Sequence, residues 1–290
     1  MKHEEGKLKG VRGSDIYYQS WHPETDSKAL LLIVHGLAEH CGRYMNIVNH
    51  FIPSGYSVYG LDQLGHGKSE GKRTYVERFE DFTDSLDHYL DIINESEPGK
   101  PIFLVGHSMG GLIGTIFVLD HQDDLAGAVI SAPTVKISDN ISRFTILAGK
   151  VFSALFPKLG LMQLDAEGVS RDRTVVQAYI NDPLVYRGKM TSRLAAELLK
   201  AMQRVPSEAK RITLPIMIVQ GAADRLVDPD GARMLYDLIG SSDRTIKIYD
   251  GLYHEVFNEP EHNQVLDDVK EWMERRLEGL AGFEDASADV

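Results

Sequence analysis

A chain of 290 residues, 43% hydrophobic and 26% charged, is long enough for one large α/β domain and too rich in apolar groups to be disordered throughout. Its formal net charge of −12 speaks against nucleic acid as a partner, because phosphates reward clustered Lys and Arg. The single cysteine, Cys41, excludes an internal disulfide and a cysteine metal cage, and no apolar run approaches the roughly 20 residues that span a bilayer.

The N-terminal Met1-Lys2-His3-Glu4-Glu5 is too polar for a secretory signal, which with the low cysteine count predicts a cytoplasmic protein, peripheral at membranes if it meets them. Residues 7–21 read as edge strands. Leu30-Leu31-Leu32-Ile33-Val34 is a short apolar run ending at His35-Gly36, and similar runs follow at 56–61, 102–105, 126–130, 216–219 and 245–249. Most are apolar on both faces, as in a parallel sheet. Helical patterns lie between them, at 46–52, 79–95, 112–120, 231–239 and 263–280. In the second of these, Phe79, Phe82, Leu86, Tyr89, Leu90 and Ile93 form one stripe. Strand alternating with helix predicts a mostly parallel, doubly wound sheet with helices on both faces.

Residues 134–205 break the rhythm. No clear strand is visible there, while Phe144, Leu147, Val151, Phe152, Leu155 and Phe156 recur at helical spacing and 193–204 reads as an amphipathic helix. The segment reads as a helical cap inserted between two strands. The expected organisation is a first core part at 1–133, the cap at 134–205, a second core part at 206–282 and a frayed acidic tail at 283–290.

The most informative segment is Val105-Gly106-His107-Ser108-Met109-Gly110-Gly111, a strand entering a G-x-S-x-G turn with a helix beyond. So sharp a turn strains the serine backbone, needs small neighbours, and presents the hydroxyl at the carboxyl end of the sheet. The helix N-terminus behind it favours developing negative charge. A serine hydroxyl needs a histidine base, itself oriented by a carboxylate, in the chain order Ser, acid, His. His254 follows the run at 245–249, and Asp224 follows the run at 216–219, with Asp228 and Asp250 as rival acids. In this chemistry the N–H after the nucleophile pairs with an N–H from an early strand-end loop, which designates the backbones of Met109 and Leu37 as oxyanion donors. No metal-ligating cluster is visible.

Several segments together resemble the monoacylglycerol lipase family. They are His35-Gly36-Leu37-Ala38-Glu39-His40 with Gly42-Arg43-Tyr44, the loop Asp62-Gln63-Leu64-Gly65-His66-Gly67, the elbow at Ser108, Asn181-Asp182-Pro183-Leu184, Gln220-Gly221-Ala222-Ala223-Asp224, and Tyr253-His254. The resemblance runs from about residue 17 to 272. It implies an α/β-hydrolase fold with a helical cap, no cofactor, and hydrolysis of esters carrying one fatty acyl chain. Ser108, Asp224 and His254 take the triad roles, Leu37 and Met109 the oxyanion hole, and Glu39, Arg43 and Tyr179 positions near the glycerol head; Glu39 and Arg43 read equally well as a structural ion pair that orients the loop. A mammalian enzyme of the family carries a further histidine three residues beyond the catalytic one, where this chain has Phe257, a departure that leaves room for other small esters.

The expected function is therefore a serine esterase acting on monoacylglycerols, with a small lipid or ester substrate and transient lipid-surface contact through the cap. Alternatives are a lysophospholipase, a general carboxylesterase, or an aminopeptidase-like peptidase using Asp165, Glu167 and Asp172 to hold an amine. A catalytically dead ligand receptor on the same fold is the alternative of another class.

Overall fold

The computed structural model describes residues 1–137 and 143–288, with the side chains of 143–148 and 280–288 outside the description. Eight strands form one sheet in the order β1 (Lys2–Lys9), β2 (Asp15–His22), β4 (Tyr56–Leu61), β3 (Ala29–Val34), β5 (Ile102–His107), β6 (Gly127–Ser131), β9 (Ile216–Gly221) and β10 (Arg244–Tyr249). The six strands from β4 to β10 are parallel. β1 and β2 add an antiparallel hairpin at the β4 edge. The edge strands expected at 7–21 are this hairpin, beginning earlier in the chain.

Burial explains the apolar runs. Every residue of β3 is fully buried, because one layer of helices covers each face of the sheet. Leu30, Leu32 and Val34 face α2 (Glu80–Ser96) and α3 (Met109–His121), whereas Leu31 and Ile33 face α1 (Met45–Phe51) and α8 (His262–Ala288). The stripe of α2 is buried as its spacing requires: Phe82, Leu86, Tyr89, Leu90 and Ile93 are all at most 2% exposed. Each such side chain contributes roughly 1.5–3 kcal/mol on burial. α7 (Asp230–Leu238) covers β9 and β10.

Between β6 and β9 the described residues form α4 (Arg143–Leu155), α5 (Arg173–Asn181) and α6 (Ser192–Glu208), the last of which runs past residue 205. The same stretch also holds two short antiparallel strands, β7 (Gly160–Met162) and β8 (Met190–Thr191), which correct the expectation of a strand-free segment. Three and two residues are too few to show an alternating pattern. α8 runs to Ala288, through most of the segment read as a tail. Of the expected cap stripe, Phe144 and Leu147 lie outside the described side chains. Val151, Phe152, Leu155 and Phe156 are exposed, at 56%, 37%, 68% and 55%.

Candidate active site

Ser108 sits between β5 and α3 with φ 56° and ψ −118°, a left-handed conformation that a serine adopts only where its surroundings impose it. The imposing groups are visible. The Ser108 N–H donates to the Ser131 carbonyl at 2.9 Å, and its own carbonyl accepts from Leu112 and Thr134. The first turn of α3 is pressed so closely on the end of β3 that a Cβ on Gly110 would lie 2.0 Å from the Val34 oxygen and 2.5 Å from that of His35. Glycine is therefore required there for close approach. The same packing brings the loop after β3 to the serine: a Cβ on Gly36 would stand 3.2 Å from Ser108 Cβ.

His254 arrives from the loop after β10 and Asp224 from the loop after β9, and the two loops are laced by Ala222 N–H to Tyr249 and Ala223 N–H to Leu252. His254 Nδ1 stands 2.7 Å from Asp224 Oδ2. A carboxylate in that position accepts, so the ring carries its proton on Nδ1 and leaves Nε2 free as a base. Asp224 Oδ1 accepts the N–H groups of Leu226 and Val227, and Oδ2 also accepts from Gln220 Nε2 at 2.9 Å. Burial pushes the Asp224 carboxyl up, but these donors and His254 outweigh it and hold it below the usual aspartate range. The rivals are elsewhere. Asp228 accepts from Lys136 at 2.7 Å and from the Asp230 N–H in its own turn, and Asp250 is exposed in a turn. The His254 ring also packs 4.7 Å from that of His107, next to Ser108.

Met109 is the first residue of α3, so its N–H has no acceptor within the helix and is available beside Ser108. Leu37 follows Gly36 in the loop that touches Ser108. Glu39, Arg43 and Tyr179 form a buried network in place of an open polar wall. Glu39 Oε1 accepts from the Gly36 N–H at 2.7 Å and from the Tyr44 hydroxyl at 2.8 Å, while Oε2 accepts from Arg43. Arg43 in turn holds Glu255 through two bonds of 2.7 and 2.8 Å, with its guanidinium over the Tyr179 ring at 4.7 Å. Burial pushes the Glu39 carboxyl up, and the charge of Arg43 more than reverses this, holding it down. Nothing in the sequence singles out Glu255, next to His254. No periodicity marks it, and only the meeting of two distant loops gives it a partner.

Residues 25–261 match the family model described as serine aminopeptidase, S33. The chain belongs to this α/β-hydrolase family. Within it, the chain is 39% identical over 273 residues to a monoacylglycerol lipase of Mycolicibacterium smegmatis, covering 94% of this chain and 98% of that one. It is 36% identical to the human monoglyceride lipase, over 93% of this chain and 90% of the human protein. The crystal structure of the Paleococcus ferrophilus monoacylglycerol lipase superposes with a TM-score of 0.81 at 31% identity, over 90% of this chain and 99% of that chain. A soluble monoglyceride lipase variant from Saccharomyces cerevisiae, at 21% identity and a TM-score of 0.83, shares the fold. Phe257, three residues beyond His254, is 4% exposed and packed in the core with Leu252 and Val256.

Proposed function

We propose that this protein hydrolyses monoacylglycerols through a Ser108 acyl-enzyme. The observation that carries the reading is the 2.7 Å bond from His254 Nδ1 to a fully occupied Asp224, at the sheet edge where Ser108 is held in its strained turn. Its relatives' names supply the substrate class. Ser108 Oγ attacks the ester carbonyl while His254 Nε2 takes its proton. The Leu37 and Met109 N–H groups hold the resulting oxyanion. His254 then protonates the leaving glycerol oxygen, and a water activated by the same nitrogen releases the fatty acid. Asp224 keeps the tautomer and balances the imidazolium. Glu39, Arg43 and Tyr179 serve by tying the oxyanion loop to the His254 loop.

The peptidase alternative loses its support, because the cap carboxylates are engaged locally. Asp165 and Asp172 accept backbone N–H groups at the starts of their helical turns, and Glu167 pairs with Arg173. The cap offers instead an exposed apolar surface of Val151, Leu155, Phe156, Leu159, Leu161 and Met162, each 47% exposed or more. That composition fits transient contact with the lipid surface holding the substrate. The test is Ser108→Ala. It is expected to abolish hydrolysis of a monoacylglycerol and labelling by a fluorophosphonate, with the unfolding temperature kept. A variant retaining more than a tenth of the wild-type rate would refute the assignment.

A further inference from the structure

Gln220 stands out in β9 by its polarity. Ile216, Met217, Ile218 and Val219 precede it on the strand, and all five residues are 0% exposed. Residues two apart on a strand share a face, so Gln220 lies on the face of Ile216 and Ile218, within the apolar layer that includes α2 and α3. By burial alone that position suits a leucine or a methionine.

The Gln220 amide nitrogen donates to Asp224 Oδ2 at 2.9 Å and to the Gly221 carbonyl at 3.1 Å. A carboxylate and a carbonyl can only accept, so the amide is fixed with its nitrogen toward them. Its oxygen, Oε1, is buried and accepts no hydrogen bond among the described residues. An unpaired buried acceptor lowers stability, and an apolar side chain of the same bulk would not. The amide is therefore unfavourable for folding at one end and bonded to the triad acid at the other.

Among the described residues Asp224 has four donors. The N–H groups of Leu226 and Val227 reach Oδ1 from its own loop and move with it, and His254 reaches Oδ2 from another loop. Gln220 is the donor rooted in the sheet, where its backbone pairs in register with Ile248 of β10. It grips the same oxygen that accepts from His254, and so sets the direction of the bond that holds the imidazole tautomer.

We propose that Gln220 is a positioning residue for the triad acid: its amide nitrogen anchors Asp224 Oδ2 to the sheet and aims it at His254 Nδ1, at a cost in folding stability. This rests on the reading of Ser108, Asp224 and His254 given under the proposed function. Gln220 is wholly buried and acts only through the carboxylate it holds.

Gln220→Met and Gln220→Leu keep a side chain of similar bulk and remove both the donor and the orphaned oxygen. Kinetics on 4-nitrophenyl butyrate, unfolding temperatures and the proton NMR resonance of the His254 Nδ1–H would be measured for both. The expected result is a kcat lower by about tenfold or more with KM nearly unchanged, a displaced Nδ1–H resonance, and an unfolding temperature equal to that of the wild type or above it. Wild-type kcat in the variants would overturn the proposal. So would a loss of kcat that comes with a fall in unfolding temperature or a failure to fold, since that marks an amide needed only for structure. Where the two variants differ, Gln220→Met decides, because its length matches. Ser108→Ala and Asp224→Asn are run alongside. If either keeps wild-type activity, the active-site reading fails and the proposal with it; if both are dead while the Gln220 variants are unimpaired, only the role of Gln220 fails.

Discussion

Three carboxylates were eligible as the triad acid by their place after the last strands, and hydrogen bonding separates them. Asp224 accepts from His254, Gln220, Leu226 and Val227, whereas Asp228 is spent on Lys136 and its own turn. Asp224→Asn should therefore lower kcat by several decades, because the amide can present an N–H to the ring and stabilise the wrong tautomer. Asp228→Asn and Asp250→Asn should stay within about threefold of wild type, as expected for exposed turn positions. Parallel kinetics of the three variants decide between the carboxylates.

At the scale of elements, the elbow depends on contact between α3 and the end of β3. Gly110→Ala would drive a methyl group into the Val34 and His35 carbonyls, which cannot retreat without moving both the strand end and the oxyanion loop. The expected result is a loss of stability of about 3 kcal/mol or more together with near-complete loss of activity, read from urea unfolding and ester hydrolysis. The loops around the elbow also hold buried neutral histidines. Burial, and the charge of His254, lower His107 to about 4; burial, and the neighbouring His35, lower His66 to about 3. In the unfolded chain both take up protons near the ordinary histidine value of 6.5. The unfolded state then binds more protons than the folded one, so this contribution to stability is complete above pH 6.5 and falls as pH drops toward 4. The urea midpoint should thus decline between pH 6.5 and 5, above the range of ordinary carboxylates. His66→Gln should flatten the decline, and an unchanged slope would refute the assignment.

At the scale of the whole molecule, the segment between β6 and β9 bonds to the loops that carry Leu37 and His254 and faces solvent with apolar side chains. Tyr186 N–H donates to Ala38 in the oxyanion loop, and Glu255 N–H, beside His254, donates to Val169 in the cap. Phe152 and Phe156 stack at 5.4 Å, and Phe152 borders a cavity of about 70 Å³ with Leu161, Ala195, Ala196 and Leu199. Replacing Leu155, Phe156 and Met162 together by Ser should reduce binding to phosphatidylcholine vesicles and the rate on vesicle-borne monoacylglycerol by about tenfold or more, since each apolar side chain withdrawn from lipid forfeits 1 kcal/mol or more. The rate on soluble 4-nitrophenyl butyrate should be unaltered. Equal losses on both substrates would mean that the surface is needed for folding and not for lipid.

The strands, most helices and the Ser108 elbow were legible in the sequence because each is a local matter. Alternation and apolar runs reflect burial of consecutive residues, and the elbow is a five-residue pattern whose glycines answer to close packing. The order Ser108, Asp224, His254 was legible too, since all three follow strands of one parallel sheet and so share its carboxyl edge. What local pattern could not supply was any partnership between distant loops. The sequence favoured Asp224 over Asp228 and Asp250 by chain order and resemblance, but the bond from His254, thirty residues on, is visible only in the fold. For Glu39 and Arg43 the sequence left substrate contact and a loop-orienting ion pair equally open, because it could not show that they bond to Gly36, Tyr44 and Glu255, the last of them 212 residues away from Arg43. The exposure of the cap stripe was equally undecided, because helical spacing records that one face is apolar and not whether core, substrate or lipid covers it. Sequence determined the elements and the chemical groups. The tertiary structure decided which groups meet, because a hydrogen bond requires two atoms within about 3 Å, and only the folded sheet brings chain segments so far apart to that distance.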